Sequence, residues 1–164
     1  MKTLYLLRHA KSSWDNLELT DHQRPLNNRG ERDIPRMADW MANKLESPQF
    51  VISSDAVRTQ LTLAPVQKAW AIKNSQIIFT AKAYHAGPTA LLNLIKEADK
   101  NYGRLLLVGH NPGLTDLANN LLKSFLTDNI PTSGFVALTF KTDSWATITN
   151  NSAELLAYQY PKNL

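Results

Sequence analysis

Five side chains, at four places in the sequence, have the types needed to hold and transfer an anionic group. Arg8 and His9 close the apolar run Thr3-Leu4-Tyr5-Leu6-Leu7; Arg58 follows Ser53-Ser54-Asp55-Ala56-Val57; His85 follows Tyr84; His110 follows Gly109. Arginine offers a forked set of donors matched to phosphate geometry. Neutral imidazole can attack phosphorus and leave a phosphorylated histidine that water resolves. The chain has no cysteine, so thiolate nucleophiles, disulfides and Cys-based zinc sites are excluded together. Gly109-His110-Asn111-Pro112-Gly113 has the glycine spacing of a serine nucleophile elbow, but Asn111 stands where serine is required. No Walker-type phosphate loop is present either. The combination therefore points to an anion with several oxygens, phosphate first, with charge neutralisation supplying most of any rate acceleration.

Each of these places follows a short apolar run and precedes a helical pattern. Thr3 to Leu7 reads as a strand buried on both faces, the kind found in parallel sheets, and Phe50 to Ser53, Gln76 to Phe79 and Arg104 to Val108 read as further strands. Helical spacing follows in Arg29 to Leu45, from Arg58's first turn to about Trp70, from Gly87 or Pro88 through Ile95, and from Leu114 to Leu122. Asp33 is a plausible cap for the part of the first helix that begins near Pro35. Arg58 is an odd residue for a helix start, where the dipole repels a cation, unless both face an anion. After Pro131-Thr132-Ser133-Gly134 the period changes to that of strands: Phe135 to Phe140, Trp145 to Thr149 and Leu155 to Tyr160. The fold class is therefore α/β: a three-layer α/β/α sandwich on a mostly parallel sheet, closed by a short antiparallel meander. In such a sheet the four strand-to-helix junctions share one edge, where ligands gather.

Residues 11 to 28 form a long polar connection, of a size that is more often functional than idle. It carries His22, read as structural or solvent-facing, and Trp14, read as packing the loop on the core. Asn111 is a candidate substrate contact, although capping the following helix is its favoured role. A single domain over 1–164 fits the length, and a net charge of +4 with scattered Lys and Arg gives no nucleic-acid stripe. No apolar stretch reaches membrane-span length and none has signal-peptide form, so we expect a cytoplasmic protein with no membrane or nucleic-acid partner. The histidines form no close pair for zinc, and the reading calls for no metal and no cofactor.

Leu7-Arg8-His9-Ala10, Ser53 to Thr59 and Val108 to Gly113 resemble the histidine phosphatase (phosphoglycerate mutase-like) superfamily. Lys11-Ser12-Ser13-Trp14 and Asp21-His22-Gln23-Arg24-Pro25-Leu26-Asn27 resemble its small SixA-type phosphohistidine phosphatase branch. The resemblance implies that His9 is the nucleophile, that Arg8 and Arg58 bind the phosphoryl group, and that His110 completes the pocket. It implies a metal-independent hydrolase acting on a phosphorylated substrate, a histidine-phosphotransfer protein first. A phosphatase of small metabolites and a non-catalytic binder of phosphorylated ligands are the alternatives.

Two positions depart from the superfamily pattern. Its usual Arg-His-Gly (RHG motif) is Arg-His-Ala here, at Ala10. The glutamate acid that many relatives carry after the third strand is missing from Ala83-Tyr84-His85-Ala86, leaving His85, Asp21 or no dedicated acid as proton donor. Losing a positioned acid costs an alkoxide leaving group on the order of a hundredfold. An imidazole leaving group, with its near-neutral pKa, suffers far less, so the sequence leans toward phosphohistidine, other phosphoramidates or activated esters. Only one helix separates the third strand from His110, which leaves no room for a lid domain.

Overall fold

A computed structural model describes residues 1–164. Its centre is one six-stranded sheet in the order β3-β2-β4-β1-β5-β6: β1 (Lys2–Arg8), β2 (Phe50–Ser54), β3 (Ile77–Thr80), β4 (Arg104–Gly109), β5 (Phe135–Phe140) and β6 (Ala153–Gln159). β1, β2, β3 and β4 run parallel, with β1 central against β4, while β5 and β6 are antiparallel additions beyond it. Leu4, Leu6 and Leu7 are fully buried, as are Leu106, Leu107 and Val108 of β4. A strand flanked by strands and covered on both faces must be apolar throughout, which is why these runs do not alternate.

Helices cover both faces. α1 (Asn28–Lys44) and α2 (Val57–Ala69) pack over Tyr5, Leu7, Val51, Leu106 and Val108. α3 (Pro88–Lys96) and α4 (Gly113–Leu121) cover Leu4, Leu6, Ile52, Leu105 and Leu107 on the other side. The result is a three-layer α/β/α sandwich with a mostly parallel sheet, and only α3 and a short turn lie between β3 and β4.

Two local expectations are corrected. Trp145 to Thr149 is no strand: Trp145–Thr147 forms a 3-10 turn, so the meander has two strands. The Trp145 ring is fully buried and its indole N–H donates to Tyr102 O at 2.7 Å, so the aromatic signal marks core packing rather than a ladder. Asp33 does not cap α1; Asn27 does, accepting from Gly30 N at 2.9 Å, and Pro35 lies inside the helix. Asp33 is buried and sits against Arg29, Arg32 and Arg36 on successive turns.

Close approach explains one glycine. A Cβ on Gly30 would run into the Lys11 carbonyl. Its absence lets the start of α1 press on Lys11, while Asn27 N donates to Lys11 O at 2.9 Å and Ser13 N to Pro25 O at 2.8 Å. These contacts close the long loop on itself and hold its middle over the edge of the sheet.

Candidate active site

The carboxyl ends of β1, β2 and β4 and the turn before α3 converge at one edge. His9 leaves β1 with its backbone tied on two sides: its N–H donates to Gly109 O at 3.2 Å, and its carbonyl accepts from Ser133 N at 3.1 Å. Ala10 N donates to Thr62 Oγ1 at 2.8 Å, which pins the same turn to α2. Only Nδ1 of His9 has a protein partner, Ala10 O at 2.8 Å. A carbonyl can only accept, so Nδ1 carries the proton and Nε2 keeps its lone pair.

His110 lies beside it, ring centroids 5.2 Å apart. Its Nε2 meets Ser54 Oγ at 2.8 Å, while that oxygen accepts from Ala56 N at 3.2 Å. Nε2 is the only protein acceptor in reach of the Ser54 hydroxyl, so that proton goes to Nε2, and Nδ1 of His110 becomes a donor, buried and without a partner. Burial pushes the His9 pKa down to about 3, despite the Ala10 hydrogen bond that opposes it, and the charges of Arg58, Arg8 and Arg24 push further. Burial, followed by His9 and Arg58, holds His110 at about 2. Both imidazoles are neutral at physiological pH, as a nitrogen nucleophile must be.

Arg8 donates from Nη1 to Ile130 O at 2.9 Å and leaves Nε buried without a partner. Arg58, the second residue of α2, donates from Nη1 to Asp21 O at 2.7 Å and from Nη2 to Asp21 Oδ2 at 3.0 Å; its Nε is likewise unpaired. Asp21 thus provides the anion that a cation at a helix start calls for. Arg8, Arg58 and His110 each aim one buried N–H at no protein acceptor. Unpaired buried donors cost about 1–3 kcal/mol each unless a ligand meets them.

Three groups that sequence spacing did not assign to the site also reach it, two of them from the long loop. Arg24 is buried and donates to Ser12 Oγ, with its Nε 3.6 Å from Asp21 Oδ1. Trp14 is 66% exposed and lies over the Arg24 guanidinium at 3.5 Å, so it covers that arginine instead of packing in the core. The Tyr84 hydroxyl donates to Asp21 Oδ2. Burial, then Arg58, lowers the pKa of both Arg8 and Arg24 below the ordinary guanidinium value, which is the electrostatic cost of crowding three cations. With Asp21 ionised and both imidazoles neutral, the cluster carries a formal charge of about +2, the complement of a phosphoryl dianion.

Of the two candidate acids, Asp21 is held ionised. Burial raises its pKa, but hydrogen bonds from Tyr84 and Arg58 and the Arg58 charge outweigh this and bring it to about 2. His85 sits at the mouth, stacked on Tyr84 with centroids 4.1 Å apart; its Nε2 is 3.2 Å from Arg58 Nη2 and 3.3 Å from Asp21 Oδ2. His22 turns aside to Asp55 Oδ1 at 2.8 Å.

Asn111 is not free to contact a substrate. Its amide donates to Asn129 Oδ1 and Ile130 O, and its Oδ1 accepts from Thr115 N and Oγ1. All four hydrogen-bonding positions are filled from within, so Asn111 ties the start of α4 to the segment before β5 that also receives Arg8 Nη1. The largest concavity on the surface, between α1 and α2 and lined by Pro35, Ala38, Pro65 and Ala69, holds none of these groups. Convergent chemistry rather than volume locates the site.

Comparison with known proteins agrees with this geometry. The family model of the histidine phosphatase superfamily (branch 1) matches residues 4–78. An uncharacterized chloroplastic protein of Arabidopsis thaliana is 37% identical over 128 residues, 73% of this chain; the chain spans 59% of that relative's length. Two similar solved structures bear the provisional name phosphohistidine phosphatase SixA. The Agrobacterium tumefaciens protein has a TM-score of 0.81 at 26% identity, covering 98% of each chain. The Nakamurella multipartita protein scores 0.83 at 25% identity, over 98% of this chain and 96% of its own. Residues 4–78 thus match the histidine phosphatase superfamily, and the whole chain is similar in architecture to the SixA-type structures.

Proposed function

We propose that the protein is a metal-independent phosphatase that passes a phosphoryl group to His9 and then to water. His9 Nε2 attacks phosphorus with its lone pair, while Ala10 O holds the Nδ1 proton as the ring becomes charged. Arg8 Nε, Arg58 Nε and His110 Nδ1 receive the phosphoryl oxygens. Three guanidiniums supply the charge that a metal supplies elsewhere. The observation that carries the reading is this set of buried N–H groups, unpartnered around one neutral imidazole. The match of residues 4–78 to the histidine phosphatase superfamily supports it.

The favoured substrate is phosphohistidine on a phosphotransfer protein. No neutral carboxylic acid stands ready to protonate an alkoxide, and no lid closes over the cleft, so a residue on a protein surface can enter. The test compares turnover of a phosphohistidine-bearing phosphotransfer protein with that of small sugar phosphates, for wild type and His9→Ala, with and without a strong chelator. The expectation is a preference for phosphohistidine that His9→Ala abolishes and chelation leaves intact. Equal activity of His9→Ala overturns the mechanism, and faster turnover of sugar phosphates overturns the substrate.

A further inference from the structure

The Asp21 carboxylate takes no part in the bond-making steps proposed above, yet it is heavily tethered at the site. Its Oδ2 accepts from Arg58 Nη2 at 3.0 Å and from the Tyr84 hydroxyl, with His85 Nε2 at 3.3 Å. Its other oxygen, Oδ1, accepts no hydrogen bond; Arg24 Nε lies 3.6 Å from it. The side chain is 40% exposed, whereas His9, Arg58 and His110 are buried. Asp21, partly exposed at the mouth, therefore has one anchored oxygen and one that accepts no hydrogen bond from the protein.

In-line transfer places the leaving atom opposite the attacking nitrogen. His9 attacks from the floor, so the leaving group departs toward the mouth, where Asp21, Tyr84 and His85 stand. An ionised carboxylate is a poor neighbour for an alkoxide, which carries away negative charge. It is a good neighbour for a leaving group that brings its own N–H.

We propose that Asp21 Oδ1 is the specificity determinant of this site, accepting the N–H of the distal ring nitrogen of a phosphorylated imidazole and so selecting N-phosphorylated substrates over esters. The inference rests on the phosphatase reading and deepens it. With the distal nitrogen protonated, the P–N bond breaks with its electron pair going to the leaving nitrogen, and the His9 Nε2–P bond forms. The proton stays on the distal nitrogen throughout, so neutral imidazole departs and no enzyme acid is consumed. The substrate carries the proton that a missing glutamate would otherwise supply, and Asp21 keeps it in place. The carboxylate's ionised state, held by Tyr84 and Arg58 against the effect of burial, suits an acceptor and not a donor.

The test is the ratio of kcat/KM for N-phosphoimidazole to that for p-nitrophenyl phosphate, whose leaving group needs no proton. Asp21→Asn is expected to lower the first about tenfold or more, through loss of a charged acceptor. It is expected to raise the second severalfold, because the negative charge no longer opposes the incoming phosphoryl group. A parallel fall for both substrates, or an unchanged ratio, overturns the proposal and leaves Asp21 a mere support for Arg58. Should the Asn variant fail to fold, Tyr84→Phe removes one anchor of the same carboxylate and must shift the ratio in the same direction, by about threefold; no shift overturns the proposal equally. Wild-type turnover of p-nitrophenyl phosphate that depends on His9, with no effect of Asp21→Asn on the ratio, sinks this inference alone. Turnover that survives His9→Ala sinks the phosphatase reading together with it.

Discussion

Ser54 and His110 share a hydrogen bond of 2.8 Å between Oγ and Nε2, and that bond decides which nitrogen of His110 faces the anion site. Ser54 is fully buried at the end of β2, so the arrangement is imposed by the sheet rather than by solvent. Ser54→Ala leaves a buried imidazole nitrogen without its donor and frees the ring to take the other tautomer. The expected result is a fall in kcat of about tenfold, with a stability loss of about 1–3 kcal/mol. Steady-state kinetics on p-nitrophenyl phosphate and a urea titration read the two effects separately.

Arg58 holds Asp21 through two hydrogen bonds and keeps a third donor for the substrate. Lysine offers a single point of charge and cannot reproduce the fork. Arg58→Lys is expected to lower kcat/KM by about a hundredfold, in excess of any change in thermal midpoint. Retention of more than a third of the wild-type value would show that the fork is dispensable.

Stability should depend on pH through the two buried imidazoles. An unfolded histidine takes up its proton near pH 6.5, whereas His9 in the folded chain does so near 3 and His110 near 2. Between these limits the unfolded state binds more protons, so their contribution to stability is present above pH 6.5 and is lost as pH falls toward 3. His9→Gln removes one of the two and should reduce the slope of unfolding free energy against pH by at most about 1.4 kcal/mol per pH unit. Denaturant titrations at pH 7 and pH 5 on both proteins measure it, and identical slopes would contradict the burial argument.

The loop from Lys11 to Asn27 depends on Gly30. Gly30→Ala drives a methyl group into the Lys11 carbonyl and should cost about 1–3 kcal/mol. Because the loop carries Asp21 and Arg24, the activity should fall further than the lost stability explains, which a thermal melt and a kinetic assay at a temperature well below the midpoint will separate.

How much of this could be seen in the chain beforehand follows from distance along it. The buried parallel strands announce themselves as apolar runs, and the Arg and His residues stand directly after them, so the edge that gathers Arg8, His9, Arg58, His85 and His110 was legible. The partners of those residues were not. Tyr84 reaches Asp21 across 63 positions, and Arg24 reaches Ser12 through a loop with no periodicity to fix its path. Trp14 looked like core and is a cover for a cation; Trp145 looked like strand and is core. In both cases the ring's apolar area was evident and its neighbours were not. Asp33 fits the pattern of a cap because it precedes Pro35, but the capping oxygen of Asn27 lies a turn and a half earlier and wins by starting the helix first.

The central claim is that His9 Nε2 takes the phosphoryl group. Mixing the protein with a radiolabelled phosphohistidine peptide, quenching within milliseconds in denaturant, and mapping the label tests it most directly. The expected result is acid-labile, alkali-stable label on the peptide containing His9, absent from His9→Ala and retained longer in variants of the surrounding donors. Wild-type turnover with no label on His9 at any quench time would contradict the account.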